Sequence, residues 1–270
     1  MSSHRPFSPS PSLLPSERLR LDCRSGSYTS PTNGQCPGYL QCNLVVLPSS
    51  YAFDFLLFCQ RNPKPCPLLE VCTNGSSFPE GLCRSGSTAD LKTDVPKYSI
   101  YRNGLLDLTD VPDVTSVWPV DCVSFLLGCS FTFESVLASN GISVRSIDEG
   151  KNVPMYRTNV QCRSAGPFEA ELVVSMRPFK GCDVSKVVEL TGRYPEAHGA
   201  PVHVGNNALS ALGIVDIGKP DWGDEIDVKD DEVCVWHACG VTTQEAVRRS
   251  GVEFAITHCP GCMFVTDVAI

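Results

Sequence analysis

Four short segments near the C-terminus hold the residue types that could carry chemistry. Each places polar or reactive side chains beside glycine or proline, and together they contain four of the five histidines. In α/β proteins ligands bind on loops beyond the carboxyl ends of strands, so we expect an active site where these segments meet. The segments are residues 198–205, 219–224, 236–244 and 257–262.

Three histidines are candidate proton donors and acceptors: His198, His203 and His258. An imidazole changes its protonation state near neutral pH, which suits general acid–base catalysis. His198 and His203 have Gly199 and Pro201 between them, which predicts a loop running into a short strand. For His198 and His203 the alternative is a side chain held only by a hydrogen bond to the backbone.

Asp221 and Asp224 are the candidate catalytic carboxylates, to orient a general acid or to accept a proton from an amine. They frame Trp222 and Gly223, which fix the turn around them. The acidic residues that follow, up to Glu232, are typical of a solvated loop. Magnesium binding is the alternative use of the pair, and we predict no metal.

Arg177 and Arg157 are the candidate cations for an acidic substrate. A guanidinium matches a carboxylate with two parallel hydrogen bonds. A pocket for an anion needs such a cation in a chain whose net charge is −8. A structural salt bridge is the alternative for both arginines.

One predicted helix start supplies four candidate substrate-binding residues: Cys239, Gly240, Thr242 and Thr243. Backbone N–H groups and the helix dipole favour an anion such as a carboxylate at this position. A helix cap without a ligand is the alternative.

A second predicted helix start supplies Cys129 and Ser130 as further candidate substrate-binding residues. A thiol at a helix start can have a lowered pKa, and a hydroxyl there lies beside free N–H groups. Tight packing at the turn is the alternative.

The fifteen cysteines predict buried, reduced thiols. Their number is odd, they are scattered through apolar runs, and no apolar signal segment opens the chain. Cys259 and Cys262 could join Cys234, Cys239 and His237 in a zinc site, or act as a redox dithiol, but the spacing is not that of a zinc ribbon. We therefore predict no metal and no cofactor.

The bulk properties exclude two classes of partner. A net charge of −8 gives no electrostatic footprint for nucleic acid. No apolar run reaches the ~18 residues that span a bilayer, so we predict no membrane partner either. Residues 1–20 hold three arginines and one acid, as a mitochondrial presequence would, together with four prolines that oppose an amphipathic helix. The prediction is a cytoplasmic or mitochondrial-matrix protein.

The elements around these residues predict an α/β protein. Residues 44–47 and 68–71 read as strands on either side of a helix that ends at Phe58, and this βαβ pattern predicts a parallel pair. Residues 233–236 and 254–257 flank a helix at 243–249, with a capping box at Thr242, in a second such unit.

The middle of the chain has a different pattern. It predicts helices at 121–127 and 131–139, the second capped by Ser130, then antiparallel strands at 155–160 and 171–176. We therefore expect a mixed-sheet α/β domain with an inserted smaller α+β domain. The predicted boundaries are a loosely ordered lead-in at 1–40, the α/β domain at 41–110 and 201–270, and the insertion at 111–200.

The ordered motifs together resemble the D-glutamate cyclase family, whose members are also described as hydro-lyases. The resemblance runs from about Arg24 to the C-terminus. It rests on residues 34–43 and 58–70, Gly-Cys-Ser-Phe-Thr-Phe-Glu at 128–134, Met-Tyr-Arg-Thr at 155–158, Ser-Met-Arg-Pro at 175–178, His-Gly-Ala-Pro-Val-His at 198–203, Pro-Asp-Trp-Gly-Asp at 220–224, Ala-Cys-Gly-Val-Thr at 238–242 and Ile-Thr-His at 256–258.

The resemblance implies a lyase of amino-acid metabolism that acts on a small carboxylate or amino acid, most concretely D-glutamate. The substrate amine would attack its own γ-carboxyl group and give 5-oxo-D-proline and water. His203 or His198 would then deliver the proton and Arg177 would hold a carboxylate. A non-catalytic module that binds small acids is the main alternative, and a cysteine-based redox or metal protein is a third. A homo-oligomer is left open.

Overall fold

The computed structural model describes residues 13–270. Part of the presequence prediction, residues 1–12, lies outside the described residues. The helices are α1 (Pro15–Arg24), α2 (Ala52–Arg61), α3 (Phe131–Ser139), α4 (Arg145–Asp148), α5 (Val184–Gly192), α6 (Ala208–Leu212) and α7 (Val241–Ser250), with short 3-10 helices at Ser49–Tyr51, Thr115–Val117 and Pro195–Ala197. The strands are β1 (Tyr39–Pro48), β2 (Leu68–Cys72), β3 (Tyr98–Arg102), β4 (Leu105–Val111), β5 (Cys122–Gly128), β6 (Met155–Gln161), β7 (Glu171–Lys180), β8 (His203–Val204), β9 (Glu232–Ala238), β10 (Phe254–His258) and β11 (Phe264–Ala269).

The larger sheet, within the described residues, orders its strands β2-β5-β1-β10-β3-β4, and β11 also pairs with β1. Strand β1 is its centre. One edge of β1 pairs with β5, and the other edge is shared by β10 and β11. Side chains from both faces of β1 enter core clusters, Leu44 and Val46 on one face and Val45 and Leu47 on the other. Apolar packing on both faces explains the uninterrupted apolar run at residues 44–47 of β1.

The smaller sheet has the order β6-β7-β9-β8, and each pair is antiparallel. Residues directly opposite each other on antiparallel strands share a face, and faces alternate along a strand. Met176 lies opposite Trp236, and both belong to one apolar cluster. Arg177 lies opposite Val235 and therefore occupies the other face. This second face carries the candidate site.

The combination of helices with two sheets confirms the α/β class. The larger sheet takes strands from both ends of the chain and the smaller sheet takes them from the middle. Sheet membership does not follow the predicted domain boundaries, because β5 joins the larger sheet while β8 and β9 join the smaller one. The division into domains stays a prediction.

Three predictions about the strands are wrong. Residues 121–127 were expected to be helical, but residues 122–128 form β5, since a short apolar run fits a buried strand and a buried helix equally well. Strand β5 lies between β1 and β2 and pairs antiparallel with both, so β1 and β2 run in the same direction but are not paired with each other. The second βαβ unit is also wrong, because β9 and β10 belong to different sheets.

The predicted loose lead-in is wrong for residues 15–24, which form α1. Its Arg20 is buried, donates to the carbonyl of Val265 at 2.6 Å and pairs with Asp267 at 2.8 Å. These long-range contacts with β11 order a segment whose composition alone indicated little structure. Strands β4 and β11 were not predicted. None of the helices within residues 13–270 has the length and apolar character needed to cross a membrane.

Candidate active site

The site lies between the two sheets, where α3 and α7 begin. Helix α3 follows β5 with Ser130 as its N-cap, and α7 follows β9 with Gly240 as its N-cap. Both N-caps have nearly the same backbone, φ −61° and ψ −17° at Ser130 and φ −63° and ψ −16° at Gly240. Neither residue caps its helix with a side-chain hydrogen bond. Both helix starts therefore carry the partial positive charge of first-turn N–H groups.

The start of α3 is bonded to the centre of the larger sheet. The N–H of Cys129 donates to the carbonyl of Gln41 at 3.0 Å. The N–H of Gln41 donates in return to Oγ1 of Thr132 at 3.0 Å. This reciprocal pair fixes the Cys129 backbone against β1.

The start of α7 is bonded to the smaller sheet in the same way. The N–H of Cys239 donates to the carbonyl of Val173 at 2.9 Å, and the N–H of Val173 donates to Oγ1 of Thr242 at 3.0 Å. The predicted capping box at Thr242 is wrong, because α7 begins at Val241 and the Thr242 hydroxyl serves β7 instead of the helix end.

Asn43 joins the two helix starts. Its Nδ2 donates to the carbonyl of Gly128 at 2.8 Å. Its carboxamide also lies against Gly240, where an added Cβ would come within 2.2 Å of it. Glycine is required at position 240 because any side chain would displace Asn43. The end of β5 and the start of α7 are thereby held in contact.

A buried ion pair, Arg177 with Glu134, lies beside the start of α3. Nε and Nη2 of Arg177 donate to Oε1 of Glu134 at 3.0 and 2.6 Å. Nη2 also donates to Oγ of Ser130 at 2.9 Å, and Nη1 donates to Oγ of Ser175 at 3.0 Å. Burial raises the pKa of Glu134, and the positive charge of Arg177 opposes that rise. Of the two interpretations of Arg177, this geometry favours the structural salt bridge.

Two neutral imidazoles lie near this ion pair. The carbonyl of Lys64 is 2.8 Å from Nδ1 of His198 and can only accept, so Nδ1 carries the proton and Nε2 is bare. The Thr191 hydroxyl donates to Val187, so Nε2 of His237 must donate to it, which leaves Nδ1 of His237 bare. Burial lowers the pKa of His198 to about 4 and that of His237 well below its ordinary value.

Three buried acceptors in this region have no hydrogen-bond partner among the described residues: Oε2 of Glu134, Nε2 of His198 and Nδ1 of His237. Glu134 bonds the Arg177 guanidinium directly, and the charge of Arg177 lowers the pKa of both histidines. Buried polar atoms are nearly always hydrogen-bonded in folded proteins. Three bare acceptors in one region therefore indicate a place for a hydrogen-bond donor. We call Ser130, Glu134, Arg177, His198 and His237 the Arg177 cluster.

Two thiols flank the Arg177 cluster. Cys129 and Cys239 belong to one buried apolar cluster, which also contains Met155, Val173 and Met263. Burial raises the pKa of both thiols, that of Cys239 to about 11, and the charge of Arg177 opposes the rise in each case. The lowered pKa expected for Cys129 is therefore wrong, since burial outweighs the helix start.

A pocket of about 130 Å³ borders this region on the side of the N-terminal loop. Its walls include residues 34–39 of that loop, Phe131 and Glu134 of α3, and Ile147. Phe131 also belongs to the apolar cluster of the two thiols. A wider cleft of about 630 Å³ surrounds Arg145, which is already paired with Glu232. The smaller pocket therefore provides the better-placed entrance to the site.

Three predicted site residues form a separate surface group. Nη1 of Arg157 lies 3.1 Å from Oδ1 of Asp221, and its Nε lies 3.1 Å from Oε2 of Glu245. The guanidinium also lies 5.0 Å from the ring centroid of Trp222. Asp224 accepts the N–H of Asn152 at 2.7 Å. These contacts give Arg157, Asp221 and Asp224 structural partners that are not members of the Arg177 cluster.

Two predicted histidines also lie apart from that cluster. His203 is opposite Trp236 on β9, so it occupies the face of the smaller sheet that Arg177 does not. The expected meeting of His203 with Arg177 is therefore wrong, because strand alternation separates them. His258 is buried at the end of β10, where Nδ1 accepts the N–H of Leu44 at 3.0 Å, and burial lowers its pKa to about 4.

Glu134 and Asn43 were not predicted as site residues, and His237 was considered only as a possible zinc ligand. Glu134 stands four residues after Ser130, so its place in the first turns of a helix was the available signal. Asn43, a polar residue inside an apolar strand, was a second signal. Within residues 13–270 no group of three or more His, Cys, Asp or Glu residues is arranged to hold a metal ion.

Comparison with known proteins shows the family. The model of the D-glutamate cyclase family matches residues 123–267, which include both helix starts. A protein of Bordetella pertussis is 51% identical over 253 residues, covering 93% of this chain and 88% of the relative. A protein of Thermoanaerobacter sp. is 52% identical over 256 residues, covering 95% and 94%. Both carry the name "Putative hydro-lyase".

The chain therefore belongs to the D-glutamate cyclase family, a family of lyases. A solved structure, a nitrogen repressor-like protein from Methanococcus jannaschii, aligns over 90% of this chain and 92% of its own with a TM-score of 0.38 and 8% identity. A likeness that weak says nothing about function.

Proposed function

We propose that the protein cyclises D-glutamate to 5-oxo-D-proline and water, which places it in amino-acid metabolism. One observation carries the proposal: three buried acceptors lack hydrogen-bond partners among the described residues, and one of them belongs to the carboxylate bound by the buried guanidinium of Arg177. A substrate ammonium group supplies three N–H donors, which matches the three acceptors. A helix start favours a carboxylate, and D-glutamate has two of them.

The reaction balances without a cofactor. The amine nitrogen forms a bond to the carbon of the γ-carboxylate, and one oxygen of that carboxylate leaves. The ammonium nitrogen loses two hydrogens, and both depart with that oxygen as water. The site therefore needs groups that pass protons from nitrogen to oxygen, and it needs no net acid or base.

His198 is the group that we assign to the first proton. Its bare Nε2 can accept a hydrogen bond from the amine and take the proton as the C–N bond forms. Glu134 would orient the same amine through Oε2, which is bare because Arg177 occupies Oε1. Arg177 acts through Glu134 and is a positioning residue.

The helix starts would hold the two carboxylates. First-turn N–H groups of α3 and α7 lie on either side of Asn43, so an acid with two carboxylates can bridge them. Holding both ends keeps the substrate bent. Because ring closure is unimolecular, a held conformer close to the ring geometry lowers the barrier.

The test is an NMR assay of the purified chain with D-glutamate and, separately, L-glutamate. We expect 5-oxoproline from the D enantiomer at a rate well above the buffer control. Formation no faster than in buffer would end the cyclase proposal for this chain. Calorimetric binding of D-glutamate without turnover would support the small-acid binding module instead.

A further inference from the structure

The starts of α3 and α7 are two copies of one local structure. In each, a cysteine precedes the N-cap, and its N–H donates to a strand carbonyl, at Gln41 in one copy and Val173 in the other. The same strand residue returns its N–H to a threonine hydroxyl three residues after the cysteine. The N-caps agree within 2° in φ and 1° in ψ, from −61° and −17° against −63° and −16°. Two thiols are thereby presented in equivalent positions.

The two thiols share one environment. Cys129 and Cys239 lie in the same buried cluster. The positive charge of Arg177 lowers the pKa of both thiols. Cys239 is one of the groups that raise the pKa of Cys129. The backbone N–H groups of Phe131 and Val241 lower the pKa of Cys129 and Cys239 respectively, although burial raises both more.

A ligand is indicated next to this pair by independent features. Glu134, in α3, is 1% exposed, and its bare Oε2 belongs to a side chain that lines the pocket of about 130 Å³. Phe131 connects that pocket to the thiol cluster, because it contributes to both. Glu134 lies beside the residue that follows Cys129, because Nη2 of Arg177 donates both to Oε1 of Glu134 and to Oγ of Ser130.

We propose that Cys129 and Cys239 form a two-base pair that exchanges the Cα proton of an α-amino acid, so that the protein also interconverts the enantiomers of its substrate. The amino acid is taken to be glutamate, and this choice alone rests on the proposed cyclase function. Two equivalent bases suit this chemistry because the two enantiomers present their Cα proton to opposite faces.

The proton balance is complete within the pair. One sulfur starts as a thiolate and removes the Cα proton, which breaks one C–H bond. The other sulfur, starting as a thiol, donates its proton to the opposite face and forms a new C–H bond. The pair finishes with its protonation states exchanged, so no oxidant, reductant or cofactor is consumed.

The experiment uses the full chain in D₂O with D-glutamate and, separately, L-glutamate. Proton NMR follows the Cα signal and chiral chromatography follows the enantiomers. For the wild type we expect loss of the Cα signal with both enantiomers, and a product enantiomer that carries deuterium at Cα. Cys129→Ser and Cys239→Ser should each slow interconversion by roughly 10²–10⁴-fold.

The two variants should also differ from each other. Each keeps one base, so each should retain Cα exchange with one enantiomer only, and the enantiomer should be opposite in the two. A purely structural role for the cysteines would not produce opposite preferences. Cys234→Ser is the matched control, since Cys234 is equally buried but lies on the Trp236 face of the smaller sheet. It should retain exchange with both enantiomers.

The wild-type measurement decides the proposal even if a serine variant fails to fold. The thiol-pair proposal would be overturned if Cα exchange in the wild type is no faster than in the buffer control. It would also be overturned if the product enantiomer keeps the Cα proton of the substrate. The same NMR samples report 5-oxoproline. Cyclisation without Cα exchange overturns the thiol pair and leaves the cyclase function standing. Exchange without 5-oxoproline supports the pair and overturns the cyclase function.

Discussion

The guanidinium of Arg177 binds Glu134 through one carboxylate oxygen only. Two donors reach Oε1, at 3.0 and 2.6 Å, while Oε2 has no partner in the described part of the chain. Two parallel bonds to both oxygens would be the usual geometry of an arginine and a carboxylate. The one-sided arrangement neutralises the buried charge and keeps an acceptor available for a ligand.

Loss of this ion pair should destabilise the fold strongly. Glu134→Gln leaves a buried guanidinium without its counter-charge, which costs roughly 3–5 kcal/mol. Urea denaturation measures the free energy of unfolding. Glu189→Gln is the control, because it breaks the exposed Glu189–Arg193 pair and should cost only about 0–1 kcal/mol. Equal losses in the two variants would contradict the assigned role of the buried pair.

Buried histidines should make the protein less stable in mild acid. The pKa of His198 is about 4 in the folded protein, against 6.5 for an ordinary histidine. Between about pH 6.5 and 4 the unfolded chain binds a proton that the folded protein does not, so the free energy of unfolding falls as the pH falls. The slope is up to about 1.4 kcal/mol per pH unit for each such group.

The variant His198→Gln isolates this effect, because it removes one of the buried histidines and leaves His258, whose pKa is also about 4. Denaturation curves at several pH values should show a shallower pH dependence for the variant than for the wild type. The same pH dependence in both would show that His198 does not titrate as assigned.

The catalytic prediction distinguishes His198 from His203, which the sequence indicated equally as proton-transfer groups. His198→Ala should lower the turnover of D-glutamate by roughly 10²–10⁴-fold, the usual effect of losing a proton-transfer group. His203→Ala should keep turnover close to that of the wild type, since His203 bonds Asn207 on the opposite face of the smaller sheet. Initial rates of 5-oxoproline formation measure both. The reverse ranking would move the site to the other face.

A side chain at position 240 should destabilise the contact between the two helix starts. Gly240→Ala puts a Cβ 2.2 Å from the Asn43 carboxamide, and overpacking of this kind costs about 1–3 kcal/mol. Thermal unfolding should report the loss. Gly181→Ala is the control, because the nearest atom to its added Cβ is 3.8 Å away. Unchanged stability of Gly240→Ala would mean that Asn43 moves aside freely.

Local patterns determined much of this protein. The antiparallel strands β6 and β7, helix α3 and helix α7 follow from periodicity and from helix-start residues that lie near one another in sequence. The two cysteine-bearing helix starts were also selected from local signals, since a reactive side chain at the end of a strand is visible without knowing its neighbours. Ordered motifs indicated the family that the comparisons then showed.

The tertiary structure alone decided how those parts combine. The apolar run of β5 is compatible with a helix or a strand, and only a place between β1 and β2 makes it a strand. Arg177 could hold a substrate or a carboxylate of the protein, and only packing of α3 on the smaller sheet supplies Glu134. The alternation of side chains shows which residues of one strand share a face of the sheet. Only the register between strands determines that His203 and Arg177 lie on opposite faces.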